Sequence, residues 1–267
     1  MIVRSVGSPL HVGLIGLGAI GRGVLSLLER DGDGLQIVGA LVRDPRKSRG
    51  SWSVPLYTAL SDLLAAGAEV VVEAAGHTAL QEHGPGVLRA GRDLVVVSVG
   101  ALAVADVHSA LLDAAREGGS RIRVASGAIG ALDALASAAV GGLERVTHTT
   151  RKPARALLAA DEAAHLTEPR ELFHGPAREG VQLFPESVNV AAAVSLAGIG
   201  FDRTTLRVVA DPTIDRNQHV VEMEGAFGSA RFEIRNIPSD ENPKTGRLVA
   251  MSVLHTLRQI RAPLVLG

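Results

Sequence analysis

His11-Val12-Gly13-Leu14-Ile15-Gly16-Leu17-Gly18-Ala19-Ile20-Gly21-Arg22-Gly23 joins an apolar, β-rich run to a segment of helical periodicity through a GxGxxG turn. The helical pattern continues from Ala19 to Arg30, and Leu35 to Val42 is again strand-like, with Gly34 in the turn between them. Residues 11–42 therefore predict one βαβ unit. In such a unit Gly16 permits the tight turn, Gly18 lets a pyrophosphate approach the backbone, and Gly21 lets the helix pack on the strand. The N–H groups of Ala19 and Ile20, at the helix start, face the anion. The pattern alone is weak, and the strand before it and the helix after it carry the weight.

The alternation continues downstream. Leu60 to Ala66 reads as helix, Glu69 to Ala75 as strand, Thr78 to Ala90 as helix, Leu94 to Val99 as strand, Val104 to Glu117 as helix and Ile122 to Ala125 as strand. Strands this continuously apolar, separated by helices, predict a parallel sheet covered on both faces. Residues 1–127 are thus expected to form an α/β domain of the doubly wound Rossmann type. After that point Leu143 to Arg151, Leu206 to Ala210, Val220 to Glu224 and Ala230 to Arg235 are short alternating strands separated by turns. Helical segments at Ala131 to Val140 and Val188 to Ala197 cover one face of them. Residues 128–240 are expected to be a second, partly antiparallel α/β domain for substrate and dimerisation. Residues 241–267 form a closing C-terminal helix, and Leu157 to Arg170 a surface excursion.

Composition narrows the function classes. The 267 residues carry 27 Lys and Arg against 28 Asp and Glu, so no global field attracts nucleic acid or anionic lipid. Neither partner is expected. Hydrophobic residues make up 46% of the chain, yet no apolar run approaches the roughly 20 residues of a membrane-spanning helix. The first ten residues lack the pattern of a secretory signal. With no Cys there is no disulfide and no thiolate metal site, so a metal-free cytoplasmic protein is the expectation.

The second strand ends Val42-Arg43-Asp44-Pro45, one place late for the acid that holds the adenine ribose. Arg43 either pairs with a 2′-phosphate, favouring NADP or leaving NAD and NADP equivalent, or is a solvated arginine on a turn. Glu73-Ala74-Ala75-Gly76-His77 closes another strand, where Ala75 and Gly76 leave room for a cofactor. His77 lies close by, although most of the nine histidines are expected at the surface or in caps.

The run of motifs resembles the L-aspartate dehydrogenase family. GLGAIGRG (16–23), VEAAGH (72–77), VVSVGAL (96–102), SGAIGALDAL (126–135), RKPA (151–154), NVAAAVSLAG (189–198), ADP (210–212), GAFG (225–228) and NPKTG (242–246) occur in the family's order along nearly the whole chain. The resemblance implies a homodimer that oxidises L-aspartate with NAD or NADP to iminoaspartate. That product yields oxaloacetate and ammonia, or feeds NAD biosynthesis. It places the active-site histidine at His219 and cofactor contacts at Ala128, through its amide, and at Asn189. Beside it stands a chemical argument: the α-amine must be neutral when hydride leaves Cα, and a histidine with a pKa of about 6.5 suits the task of taking that proton and then activating water. A dianionic substrate calls for cations, for which Arg151, Lys152 and Lys244 are candidates. The rival readings are a dehydrogenase of the same architecture acting on another amino acid or aldehyde, such as a homoserine-type enzyme, and a non-catalytic NAD(P)-binding sensor.

Overall fold

A computed structural model describes residues 8–31, 34–46, 54–184, 188–239, 242 and 245–265. The chain forms two compact units, residues 1–127 with 249–267 and residues 128–248.

In the first unit the strands are β1 (Leu10–Ile15), β2 (Leu35–Leu41), β3 (Leu56–Tyr57), β4 (Val70–Glu73), β5 (Asp93–Val96) and β6 (Ile122–Val124). The helices are α1 (Ala19–Asp31), α2 (Leu60–Ala65), α3 (His77–Arg89) and α4 (Ala105–Gly118). All strand pairs are parallel, in the order β3-β2-β1-β4-β5-β6. This is the doubly wound order whose direction reverses between β1 and β4. Val12, Leu14, Val70, Val71, Val72, Leu94, Val95 and Val96 are buried, as expected of strands covered on both faces. The two-residue β3 was not expected from the sequence. It is too short to show a period of two. Val99 to Ala103, read as the end of a strand and a turn, forms a 3₁₀ turn.

The second unit holds α5 (Leu132–Gly141), β7 (Leu143–Pro153), α6 (Ala160–His165), β8 (Arg170–Pro176), α7 (Ala177–Leu183), α8 (Val188–Ala197), β9 (Thr205–Asp211), β10 (Gln218–Gly225) and β11 (Gly228–Arg235). The sheet order is β11-β10-β7-β9-β8, antiparallel except for β7 with β9. Val146 on β7 and Val221 and Met223 on β10 share a core with Ile129 and Leu143, with Leu135 of α5 and with Val190 and Val194 of α8. The helices therefore cover the face carrying the even positions of β7 and the odd positions of β10. The opposite face is charged: Arg145 pairs with Glu224 and Arg231 with Glu222 across strands, and Glu233 pairs with Arg231 and Arg235 along β11. Strand β8 and helix α7 correct the expectation that turns alone separate the later strands. Arg170–Pro176 carries charge, Gly and Pro at the sheet edge, which hides its alternation.

The closing helix α9 (Leu248–Ile260) falls almost entirely in the first unit. A Cβ at Gly23 of α1 would lie 2.9 Å from the Cβ of Ala250, so the two helices approach as closely as glycine allows. The Ser252 hydroxyl accepts from the Gly127 amide at 3.0 Å and donates to the Val249 carbonyl at 2.8 Å.

Candidate active site

At the carboxyl ends of β1 and β4 the glycine turn meets the loop after Glu73. Gly16 has φ +92°, and a Cβ there would lie 2.7 Å from the Cβ of Ala75. A Cβ at Gly21 would lie 2.5 Å from the Gly16 carbonyl oxygen. Both positions require glycine for the fold. Gly18 differs: a Cβ there would meet nothing within 4 Å, and its φ lies outside the left-handed region. Packing does not explain that glycine, whereas a phosphate seated on the start of α1, at Ala19 and Ile20, does. The residues present fit a dinucleotide.

Glu73, at the end of β4, is the post of this loop. It is fully buried, and its carboxylate accepts from the amides of Ala75 and Gly76, both at 2.8 Å, and from Ser98 through its amide at 3.1 Å and its hydroxyl at 2.9 Å. One side chain thus ties the end of β4 to the end of β5. Gly76 has φ +119°, which favours glycine, and no atom lies within 4 Å of where its Cβ would be. Ala75 is exposed, and His77 opens α3 half-buried. Arg43 is exposed after β2, while Asp44 accepts from the Arg46 amide at 3.0 Å and from its guanidinium at 3.2 Å. The acid is thus turned toward a neighbouring arginine, and Arg43 is left at the surface.

In the second unit, alternation along β7 sends His148, Thr150 and Lys152 to the helix-covered face that Val146 begins. His219 of β10 stands directly across from Thr150 on one side and from Ile234 of β11 on the other. His148 is wholly buried and His219 is 5% exposed. Nε2 of His148 lies 3.2 Å from Nδ1 of His219, with ring centroids 5.4 Å apart. Burial, and secondarily the Lys152 ammonium, push the pKa of His219 down to about 3. Burial, and secondarily His219, hold His148 well below its ordinary value. The expectation of a base poised near 6.5 is corrected: in the free protein the ring is neutral because the strand face that holds it is dry.

Lys152 is buried beside His219, but its neighbour Arg151 points to the other face of β7, as adjacent strand residues must. Arg151 is ion-paired there with Asp211, a fully buried carboxylate that also accepts from the Thr213 amide and hydroxyl. The structure therefore brings Lys152, and not Arg151, to His219. Ala128 begins the second unit with its carbonyl held by the Asn236 side chain at 2.8 Å, which fixes its backbone. Asn189 is exposed in the first turn of α8. Lys244 lies outside the described residues. Glu73 and His148 are the members that sequence reasoning missed.

Comparison with known proteins adds the family. Residues 133–260 match the model described as aspartate dehydrogenase, C-terminal, and residues 16–125 match that of the homoserine dehydrogenase NAD-binding domain. The chain is 44% identical over 256 residues to an L-aspartate dehydrogenase of Cupriavidus taiwanensis, covering 93% of this chain and 96% of that one. It belongs to the L-aspartate dehydrogenase family. A Pseudomonas aeruginosa L-aspartate dehydrogenase is 43% identical over 260 residues, again 93% of this chain and 96% of its own. The crystal structure of aspartate dehydrogenase from Thermotoga maritima superposes with a TM-score of 0.78 at 28% identity, covering 97% of this chain and 99% of that one. Sequence kinship to L-aspartate dehydrogenases thus spans both units, while the family model of the homoserine dehydrogenase type matches residues 16–125. The NAD-binding model on residues 16–125 makes NAD or NADP the cofactor.

Two outcomes are expected. Gly18→Val should unfold in urea like the parent but lose NADH binding by tenfold or more, measured by fluorescence titration, whereas Gly21→Val should lose about 2–4 kcal/mol of stability. A Gly18 variant as unstable as the Gly21 variant would make Gly18 a packing residue. Stability should also fall as pH drops from about 6.5 toward 3, because the unfolded chain protonates both histidines there and the folded chain does not. The slope is at most about 1.4 kcal/mol per pH unit for each ring. Asp211 and Asp215, whose carboxyls are held below the ordinary range, add to the loss only under about pH 4. Urea midpoints that are level between pH 7 and 4.5 would contradict the buried neutral pair.

Proposed function

We propose that the chain catalyses the oxidative deamination of L-aspartate with NAD or NADP, giving iminoaspartate and then oxaloacetate and ammonia. The observation that carries this reading is the 44% identity to an L-aspartate dehydrogenase over nearly the whole chain. The chemistry of His219 and Lys152 on one dry strand face supports it. When bound, the nicotinamide supplies the acceptor for the hydride that leaves Cα. Gly16, Gly18, Ala19, Ile20 and Gly21 would hold the pyrophosphate, and Ala75, Gly76, Ala128 and Asn189 would supply further cofactor contacts. The first unit is in this reading the dinucleotide-binding domain and the second the substrate and dimerisation domain.

His219 takes a proton from the substrate ammonium, so that the nitrogen lone pair is free to form the C=N bond. Once that proton has been released to solvent, the neutral ring takes a second one, from the water that adds to the imine carbon. A ring with a pKa of about 3 does this poorly in the free protein. The substrate changes its surroundings. One carboxylate pairs with Lys152 and cancels the charge that disfavours the imidazolium, and the second adds negative charge nearby. Lys152 is thereby both a carboxylate ligand and, second to burial, a group that disfavours the charged form of His219 until substrate arrives.

The reaction is reversible in principle, and the enzyme is in this reading a cytoplasmic homodimer serving NAD biosynthesis. Among the described residues no helix is long and apolar enough to cross a membrane. NADP use is supported by exposed Arg43 beside an Asp44 already engaged by Arg46.

L-Aspartate should drive reduction of NAD or NADP at 340 nm, with D-aspartate, L-glutamate and L-homoserine far slower. His219→Ala should lower kcat by about 10²- to 10⁴-fold while NADH still binds. Turnover with L-homoserine instead of L-aspartate would replace this reading with the homoserine-type one, and cofactor binding without turnover would favour a sensor. Arg43→Ala should raise KM for NADP about tenfold and leave KM for NAD within twofold. An equal change for both cofactors would remove Arg43 from 2′-phosphate recognition.

A further inference from the structure

The proton between His148 and His219 can sit in only two ways. Nε2 of His148 and Nδ1 of His219 face each other at 3.2 Å, and in the neutral pair one nitrogen donates while the other accepts. If His219 donates from Nδ1, its Nε2 carries a lone pair and the ring is a base. If His148 donates from Nε2, then Nε2 of His219 already bears hydrogen and the ring cannot take a proton from substrate. The tautomer of His148 therefore decides whether His219 is a base or a donor. The constraint tightens once His219 is protonated: both its nitrogens then bear hydrogen, and Nδ1–H faces Nε2 of His148.

We propose that His148 is the positioning residue of the catalytic histidine, holding His219 as the Nδ1–H tautomer with its Nε2 lone pair open to substrate. This rests on the reading of His219 as the base. His148 meets the requirement by geometry. It is wholly buried and lies two residues from Thr150, the cross-strand partner of His219, which puts it diagonal to the ring it orients. Its stacking at an interplanar angle of 24° limits rotation of His219. Its own Nδ1 is buried without a hydrogen-bond partner among the described residues whichever nitrogen bears the hydrogen, so the contact with His219 is what orients the His148 ring.

The choice of a second imidazole also has a chemical sense. A carboxylate against Nδ1 would favour the imidazolium and leave His219 protonated before substrate arrives. A neutral imidazole accepts the same hydrogen bond without adding charge. The other groups facing His219 fit this arrangement: Thr150 of β7 and Ile234 of β11 are uncharged, Val190 and Val194 of α8 and Leu135 of α5 line the adjoining core, and Lys152 is the charged neighbour that acts on the ring.

The test reads the tautomer directly. In the ¹⁵N spectrum of the histidine-labelled full chain near pH 7, with His219 assigned by loss of its signals in His219→Ala, Nδ1 should be of the protonated type and Nε2 of the lone-pair type. The reverse pattern overturns the proposal, whatever the variants do. His148→Leu should lower kcat for L-aspartate about 10²-fold with KM and NADH affinity within about threefold. His148→Gln, whose amide oxygen can accept from Nδ1–H, should recover most of that loss. Equal kcat in His148→Leu and the parent overturns the positioning role. So does a His148→Gln as slow as His148→Leu with the same NADH affinity. If His148→Leu does not fold, the parent spectrum and the glutamine variant decide. Full activity in His219→Ala would instead remove the reading of His219 as the base, a different failure.

Discussion

Desolvation of two imidazoles governs the chemistry of the second unit. Taking His148 and His219 out of water on the helix-covered face of β7 and β10 penalises their charged forms, and neither gains a carboxylate to offset the penalty. The rings therefore stay neutral, bind each other through one shared proton, and orient each other. The same face carries Lys152, whose charge reinforces neutrality. In the proposed reading that charge meets a substrate carboxylate, and one physical condition, a buried strand face with Lys152 at its edge, then accounts for a base that is inactive alone and competent with substrate.

The first unit is built on a different constraint, the space between backbones. Gly16 and Gly21 allow the turn after β1 to pass within van der Waals contact of Ala75 and of its own carbonyl, and Glu73 fixes the facing loop with four hydrogen bonds. Gly18 alone in the motif is crowded by nothing. The GxGxxG pattern thus combines two glycines that the fold demands with one that packing does not explain and that the proposed cofactor would use, a distinction the sequence pattern does not contain.

The parallel sheet was legible because its strands are continuously apolar and its turns carry glycine. The sheet of the second unit was legible where hydrophobic alternation is strong, as in β10, and illegible at β8, whose edge position tolerates Gly, Pro and charge. His219 came from the family resemblance. His148 had a signal that went unread: Val146, His148, Thr150 and Lys152 occupy alternate positions of one strand, so they share a face. The same period separates Arg151 from Lys152, which naming both as candidate cations did not distinguish. The low proton affinity of His219 could not be read from residue types, because it depends on which side chains surround the ring in the folded chain.

The most direct test of the account is the pH dependence of kcat and of kcat/KM for L-aspartate measured on the same preparation between pH 5 and 9. The former reports ionisations in the substrate complex and the latter those of the free enzyme and substrate. The account predicts that kcat/KM shows no histidine limb near pH 6.5, and that the acid limb of kcat lies at higher pH than any limb of the free enzyme. A shared acid limb near pH 6.5 in both profiles would contradict it, since that is the behaviour of a solvated histidine that substrate does not alter.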